Sequence, residues 1–119
     1  HRDLGLWDAE LFDYAGVYDA DFSLDKADRL EYHQTSMTHA MMFTGVDIVE
    51  GSPRRWRVEN SWDDKVGNQG FFLMNDSWFA EYMFEIAAPK EYLPTELQMA
   101  LDLEPIVLPA WDPMGSLAA

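Results

Sequence analysis

Residues 38–62 read THAMMFTGVDIVEGSPRRWRVENSW, and the periodicity of this stretch decides the fold. Thr38 to Val49 is almost wholly apolar, with β-branched residues gathered towards its end, as in a buried strand. Glu50-Gly51-Ser52-Pro53 breaks both helical and strand periodicity and is a turn. From Arg55 to Trp62 the pattern alternates. Trp56, Val58, Asn60 and Trp62 share one face, and Arg57, Glu59 and Ser61 share the other. The two runs therefore form a hairpin. Folded about Gly51-Ser52, it sets Asn60 opposite roughly Met42, so Asn60 and His39 lie at the same open end. A modest register shift or a bulge brings them into contact.

Those two polar residues in an apolar hairpin raise a chemical question. Alone, a His in an apolar strand is more often a satisfied core residue than a base. Alone, an Asn on an apolar face more often bonds neighbouring backbone. The pair is the stronger signal. An unpaired buried amide costs about 1–3 kcal/mol, so Asn60 needs a partner. An amide oxygen accepting the Nδ1–H of His39 fixes the tautomer and leaves Nε2 to face a nucleophile. Trp62 then covers that bond and keeps water from it.

Outward from the hairpin, the pattern predicts a short helix at residues 10–14 and a second through residues 25–32. Ser23 is the expected cap of the second, with Asp25 at its positive end. Asp63 to Gly70 is a polar loop, and Phe71 to Met74 a third strand. Asp76 or Ser77 caps a turn of helix through Phe79. Tyr82 to Ala87 reads as a fourth strand closed by Pro89, and Pro94 to Leu103 as a helix with Leu97, Ala100 and Leu101 on one face. Pro105, Pro109 and Pro113 then recur too often for a regular helix. Residues 104–119 are expected to run extended, up to roughly 50 Å, with their apolar side chains laid on protein. The class is α+β, mainly antiparallel sheet, divided into a unit at 1–103 and a tail at 104–119.

Composition narrows the function. The 119 residues suit one small domain, and 14% aromatic content argues against disorder. A net charge of −14 with eight basic residues argues against nucleic acid, whose binding requires Lys and Arg on phosphates. Arg54, Arg55 and Arg57 read instead as a solvated strand edge. The chain lacks cysteine, which excludes disulfides and fits a reducing compartment. No apolar run approaches the roughly 18–20 residues that span a bilayer, and no signal-peptide pattern opens the chain. Glu31, His33 and His39 lack metal-ligand spacing. Asp19, Asp21, Asp25 and Asp28 lack the central glycine of a calcium loop. No metal or cofactor is expected. The first residue is His1, so the chain is read as a piece of something longer.

Glu59-Asn60-Ser61-Trp62 resembles the Asn-Ser-Trp motif of papain-like cysteine peptidases, and the His39 segment resembles their catalytic His segment. Residues 36–41, 56–62, 76–79 with Glu81-Tyr82, and 104–115 are similar to the aminopeptidase C and bleomycin hydrolase family, as is Lys26-Ala27-Asp28-Arg29-Leu30. The resemblance implies the C-terminal half of a papain-like fold, barrel-like in its sheet, with short helices and an extended tail. It implies a cysteine aminopeptidase whose Cys lies in a missing N-terminal half. His39 would be the general base and Asn60 its orienting partner, with Trp62 and Asp63 in support. It implies a cytoplasmic homohexamer. The tail residues Gly115, Ser116, Leu117, Ala118 and Ala119 would lie in the cleft, limiting substrates to peptides with a free N-terminus. This sequence departs from the family's usual Gly at Asp63. That position would strain Asp if it needed positive φ, and it sets a negative charge near His39, suited to steering a substrate ammonium. The chain alone is expected to be inactive. The alternative is a non-catalytic peptide-binding or assembly module from a degenerate relative, distinguished by a Ser or Ala where the nucleophile should stand.

Overall fold

The computed structural model describes residues 1–117. Ala118 and Ala119 of the expected tail lie outside the described residues, as does the Ser116 side chain. The hairpin is present: β2 (Met42–Val49) pairs antiparallel with β3 (Ser52–Glu59). Its turn is tighter than the sequence suggested. Val49 pairs with Ser52, and only Glu50 (φ 51°) and Gly51 (φ 83°) lie between them. Two consecutive positive φ values are what a two-residue turn matching strand twist requires. Pro53 joins β3 rather than the turn, and it sits on a strand whose partner β2 is the sheet edge.

Two further strands complete the sheet. β4 (Phe71–Asn75) pairs antiparallel with β3, and β1 (Leu6–Trp7) pairs parallel with β4, giving the order β1-β4-β3-β2. The sheet is mixed and open, with β1 and β2 as edges; the barrel-like closure expected from the sequence is not formed. The core is a cross-strand set: Val58 stands opposite Phe72, and Trp56 opposite Met74. Val58, Phe72 and Met74 are buried, with Trp7, Met41, Phe43, Val66, Trp78 and Phe79 packed against them. The alternation read at Trp56, Val58 and Asn60 is the inward face of β3.

The helices differ from expectation in informative ways. α1 (Tyr14–Tyr18) begins at the last residue of the expected 10–14, because the Asp13 carboxylate accepts the Gly16 N–H and so starts the helix there. α2 (Lys26–Glu31) is capped by Asp25, which accepts the Asp28 N–H, and not by Ser23, whose own N–H is held by Asp21. α3 (Asp76–Tyr82) follows β4 directly and absorbs Tyr82, whose ring meets Trp78 at 4.2 Å. The predicted strand at 82–87 does not form: α3 takes Tyr82, and residues 83–89 carry no regular structure. α4 (Thr95–Ala100) is present but shorter than expected, and its Leu97 and the following Leu101 are exposed.

The tail is not uniformly extended. Residues 104–109 are irregular, and Pro113–Leu117 forms a 3₁₀ turn, with proline at its permitted first position. Ile106, Val107 and Trp111 are 87%, 89% and 80% exposed, so the expectation that the tail's apolar residues lie on protein fails for these three within the described chain.

The loop at 63–70 is pinned to the strand edge through glycine. At Gly67 (φ 64°) a Cβ would fall 2.6 Å from the Phe71 carbonyl oxygen. Gly67→Ala therefore combines a left-handed backbone with a backbone clash, and is expected to cost about 1–3 kcal/mol. Chemical denaturation of the variant beside the parent protein checks this; an unchanged midpoint would contradict it.

Candidate active site

The register of the hairpin decides where its open end lies. Phe43 pairs with Val58 but Gly45 with Arg57, and Asp47 pairs with Arg55 but Ile48 with Pro53. Thr44 and Arg54 are thus extra residues, one on each strand. A single bulge turns every later side chain to the wrong face relative to its partner. Two bulges on opposite strands cancel, so Met42 still pairs with Glu59. One step further, Asn60 falls across from Met41, and His39 is the diagonal neighbour on the same face. Both residues lie just beyond the strand ends. His39 precedes β2 and is exposed, while Asn60 follows β3 and is 8% exposed.

His39 Nε2 lies 2.9 Å from Asn60 Oδ1. An amide oxygen only accepts, so Nε2 carries the hydrogen and donates it. Asn60 Oδ1 also accepts the Ser61 N–H at 2.8 Å, and the Asn60 backbone N–H donates to Gly70 O at 3.0 Å. The amide is therefore held at both backbone and side chain. The expected nitrogens are exchanged: Nε2, not Nδ1, meets the amide. Diagonal neighbours stand about 7–8 Å apart, and Nε2 at the ring tip reaches that far where Nδ1, close to Cβ, does not. The exchange turns Nδ1 away from the amide, and no described residue hydrogen-bonds it.

Trp62 stacks on His39, with centroids 5.4 Å apart and ring planes 24° apart. The same indole meets Phe72 edge-on at 5.7 Å and 85°. The imidazole is thereby linked through Trp62 to a core residue. The Arg2 guanidinium carbon lies 5.2 Å from the Trp62 ring centroid.

Asp63 is exposed, and it is absent from the described non-glycine residues with positive φ, which are Asp19, His33, Glu50 and Gln69. The backbone strain feared for an Asp at this position does not arise. Its carboxylate accepts the Lys65 N–H at 2.9 Å. That bond, helped by one from Asp64, holds Asp63 below the usual carboxylate range. Asp64 is pushed up by its hydrogen bond to Asp63 and then by the Asp63 charge. Pro113 and Met114 line a groove with Trp111 against Ala27, Leu30 and His33, at and just beyond α2.

Sequence reasoning missed a second polar assembly. From α2, Lys26 Nζ donates to the carbonyls of Ala80 (3.0 Å) and Met83 (2.6 Å), and Arg29 binds both the carbonyl and the carboxylate of Glu81. Arg29 also lies over the Tyr82 ring at 4.8 Å. Two cations thus close the carbonyl end of α3, where the helix dipole is negative. Among the described residues no group of three His, Asp or Glu side chains is placed to hold a metal ion, and no helix is long and apolar enough to cross a membrane.

A model of the Peptidase C1-like family matches residues 1–115. Aminopeptidase C of Streptococcus thermophilus is 44% identical over 119 residues, covering 99% of this chain and 27% of its own length. Bleomycin hydrolase of Rattus norvegicus is 46% identical over 119 residues, covering 97% and 26%. The crystal structure of PepW from Lactobacillus rhamnosis HN001 superposes with a TM-score of 0.88 at 44% identity, over 98% of this chain and 27% of that one. The chain corresponds to the C-terminal part of these relatives. It spans about a quarter of their length, not the half that the sequence reading assumed.

The paired carboxylates give a titration test. By carboxyl-carbon NMR, Asp63 is expected to ionise below the ordinary aspartate range and Asp64 above it, in two separate steps. In Asp63→Asn the Asp64 step should fall back towards the ordinary value. An Asp64 titration indifferent to that change would show that the two groups do not interact.

Proposed function

Because the chain belongs to the Peptidase C1-like family, we propose that it is the base-bearing part of a cysteine aminopeptidase, supplying His39 as general base and Asn60 as its orienting partner. The observation that carries this reading is the 2.9 Å bond between His39 Nε2 and Asn60 Oδ1, which engages one ring nitrogen with the amide and leaves Nδ1 to exchange a proton with a nucleophile. The thiol would come from the remaining three quarters of a chain of the relatives' length, since this segment has no cysteine.

The chemistry follows from that tautomer. His39 Nδ1 takes the proton of the thiol, and the thiolate adds to the scissile carbonyl. The imidazolium now donates at both nitrogens, and Asn60 Oδ1 still accepts from Nε2. The Nδ1 proton passes to the departing amine, leaving an acyl-thioester. Water enters, His39 Nδ1 takes its proton, and hydroxide releases the acid and restores the thiol. Trp62 shields the His39–Asn60 bond from competing water.

The substrates proposed are peptides with a free N-terminus. Asp63 and Asp64 supply negative charge beside Trp62 for an incoming ammonium. Gly115–Ala119 would bring a chain-terminal carboxylate to the cleft in the full-length protein. The proposal extends to a cytoplasmic homohexamer. The exposed Ile106, Val107 and Trp111 support burial of the tail's apolar face in the whole assembly, because isolated apolar patches of that kind mark contact surfaces.

Three outcomes test it. In the full-length enzyme His39→Ala should lower kcat/KM by about 10²–10⁴-fold or more, and Asn60→Ala by less, since the amide orients but does not transfer the proton. Steady-state kinetics on aminoacyl-arylamides, with circular dichroism as the folding control, measure both. Near-normal turnover in His39→Ala, or a Ser or Ala at the nucleophile position, would favour a non-catalytic peptide-binding module. This 119-residue chain by itself should show no turnover, and activity from it would rule out the thiol mechanism. Deleting Gly115–Ala119 from the full-length enzyme should admit N-acetylated peptides; continued refusal of them would confine the tail to a structural role.

A further inference from the structure

We propose that Arg2 is a positioning residue for His39, acting through Trp62. The inference rests on the catalytic reading of His39 above. A single hydrogen bond from Nε2 to Asn60 fixes one point of the imidazole and leaves the ring free to tilt about that bond. The direction of the Nδ1 lone pair is set only when the ring plane is also set. The plane is set by the stack on Trp62, at 5.4 Å and 24°. Trp62 in turn is 45% exposed and lies in the irregular segment after β3, so its own orientation needs support. Phe72 supplies an edge contact from the core, and Arg2 supplies a cation over the ring at 5.2 Å.

Arg2 suits this role by its backbone as well as its side chain. Its carbonyl accepts the Gly5 N–H at 3.1 Å, and the Gly5 carbonyl accepts the Leu73 N–H at 2.8 Å. The loop that carries Arg2 is therefore stitched to β4 beside Phe72, the residue that also braces Trp62. Among the described residues no carboxylate pairs with the Arg2 guanidinium within ion-pair distance, so the indole is its described side-chain contact. Arg2 and Trp62 are 60 positions apart, so no local pattern reveals the contact.

The test uses the full-length enzyme. A cation over an exposed indole is worth a factor of about two to five in an equilibrium. Arg2→Ala is therefore expected to lower kcat about two- to fivefold, with KM and the thermal midpoint little changed. Arg2→Lys, which keeps a cation on a flexible stem, should recover most of the loss. In a Trp62→Leu background Arg2→Ala should have no further effect, since the contact is already gone. An unchanged kcat in Arg2→Ala, a loss confined to KM, or an equal loss with and without the indole would overturn the proposal. His39→Ala measured alongside separates the two readings. If it abolishes turnover while Arg2→Ala does nothing, the catalytic reading stands and the positioning role falls; if it leaves turnover intact, the catalytic reading itself fails.

Discussion

The register between β2 and β3 is the constraint on which the site depends. Side chains alternate faces along a strand, so an unbalanced one-residue slip would carry Asn60 from the core side to the solvent side. The hairpin contains two such slips, at Thr44 and Arg54, on opposite strands. Each alone would separate His39 from Asn60 by a face; together they restore the phase and add local twist. The Arg54 bulge is occupied by an exposed salt bridge to Asp47, at 2.6 Å. Such a pair contributes little to stability, but it gives the extra residue a fixed direction. The tight turn at Glu50-Gly51 sets the starting phase, and the buried Val58–Phe72 pair holds the middle of the ladder.

His39 lies outside the ladder, so its approach must be fixed from the other side as well. α2 ends in a left-handed residue, His33 at φ 55°, with the Gln34 N–H on Arg29 O and the His33 N–H on Leu30 O. That pair of bonds is a Schellman closure, which defines the direction in which the chain leaves the helix. Non-glycine residues pay for that conformation, and here the capped carbonyls offset the cost. The same helix is bound to the end of α3 through Lys26 and Arg29, and α3 grows directly out of β4. The segment carrying His39 thus begins on an element tied to one strand of the sheet and ends on another strand of that sheet. Both ends of an eight-residue approach, Gln34 to Met41, are anchored.

What could be read from the sequence was local periodicity. The hairpin, the third strand and the inward face of Trp56, Val58 and Asn60 follow from alternation over a few residues. The resemblance added the family, which the comparisons bear out. The errors share a cause: they concern choices that only distant partners decide. Residues 82–87 have strand-like composition, but α3 takes Tyr82, and Arg29 and Lys26 from α2 bind the carbonyls of Glu81 and Met83. Ser23 is a good cap by type, yet Asp25 is nearer and its carboxylate is free to bond. The exchange of imidazole nitrogens depends on the diagonal distance across the hairpin, which no spacing along the chain reveals. β1 was invisible because a two-residue parallel strand has no period to detect.

The distribution of burial explains how a segment of this size holds the His39–Asn60 pair in place. Among the described residues only three hydrophobic side chains are buried, all on β3 and β4. A core that small cannot rigidify every surface of the chain. The rigidity is instead concentrated where the imidazole needs it. Trp62 meets the buried trio through Phe72, and the Asn60 backbone N–H donates to the Gly70 carbonyl. By contrast, α4 and the tail carry large apolar side chains in the open. Holding a side-chain pair in one geometry requires the few atoms around it to hold still, and the buried contacts of this chain lie there. The His39–Asn60 geometry therefore does not draw on the packing of α4 or the tail.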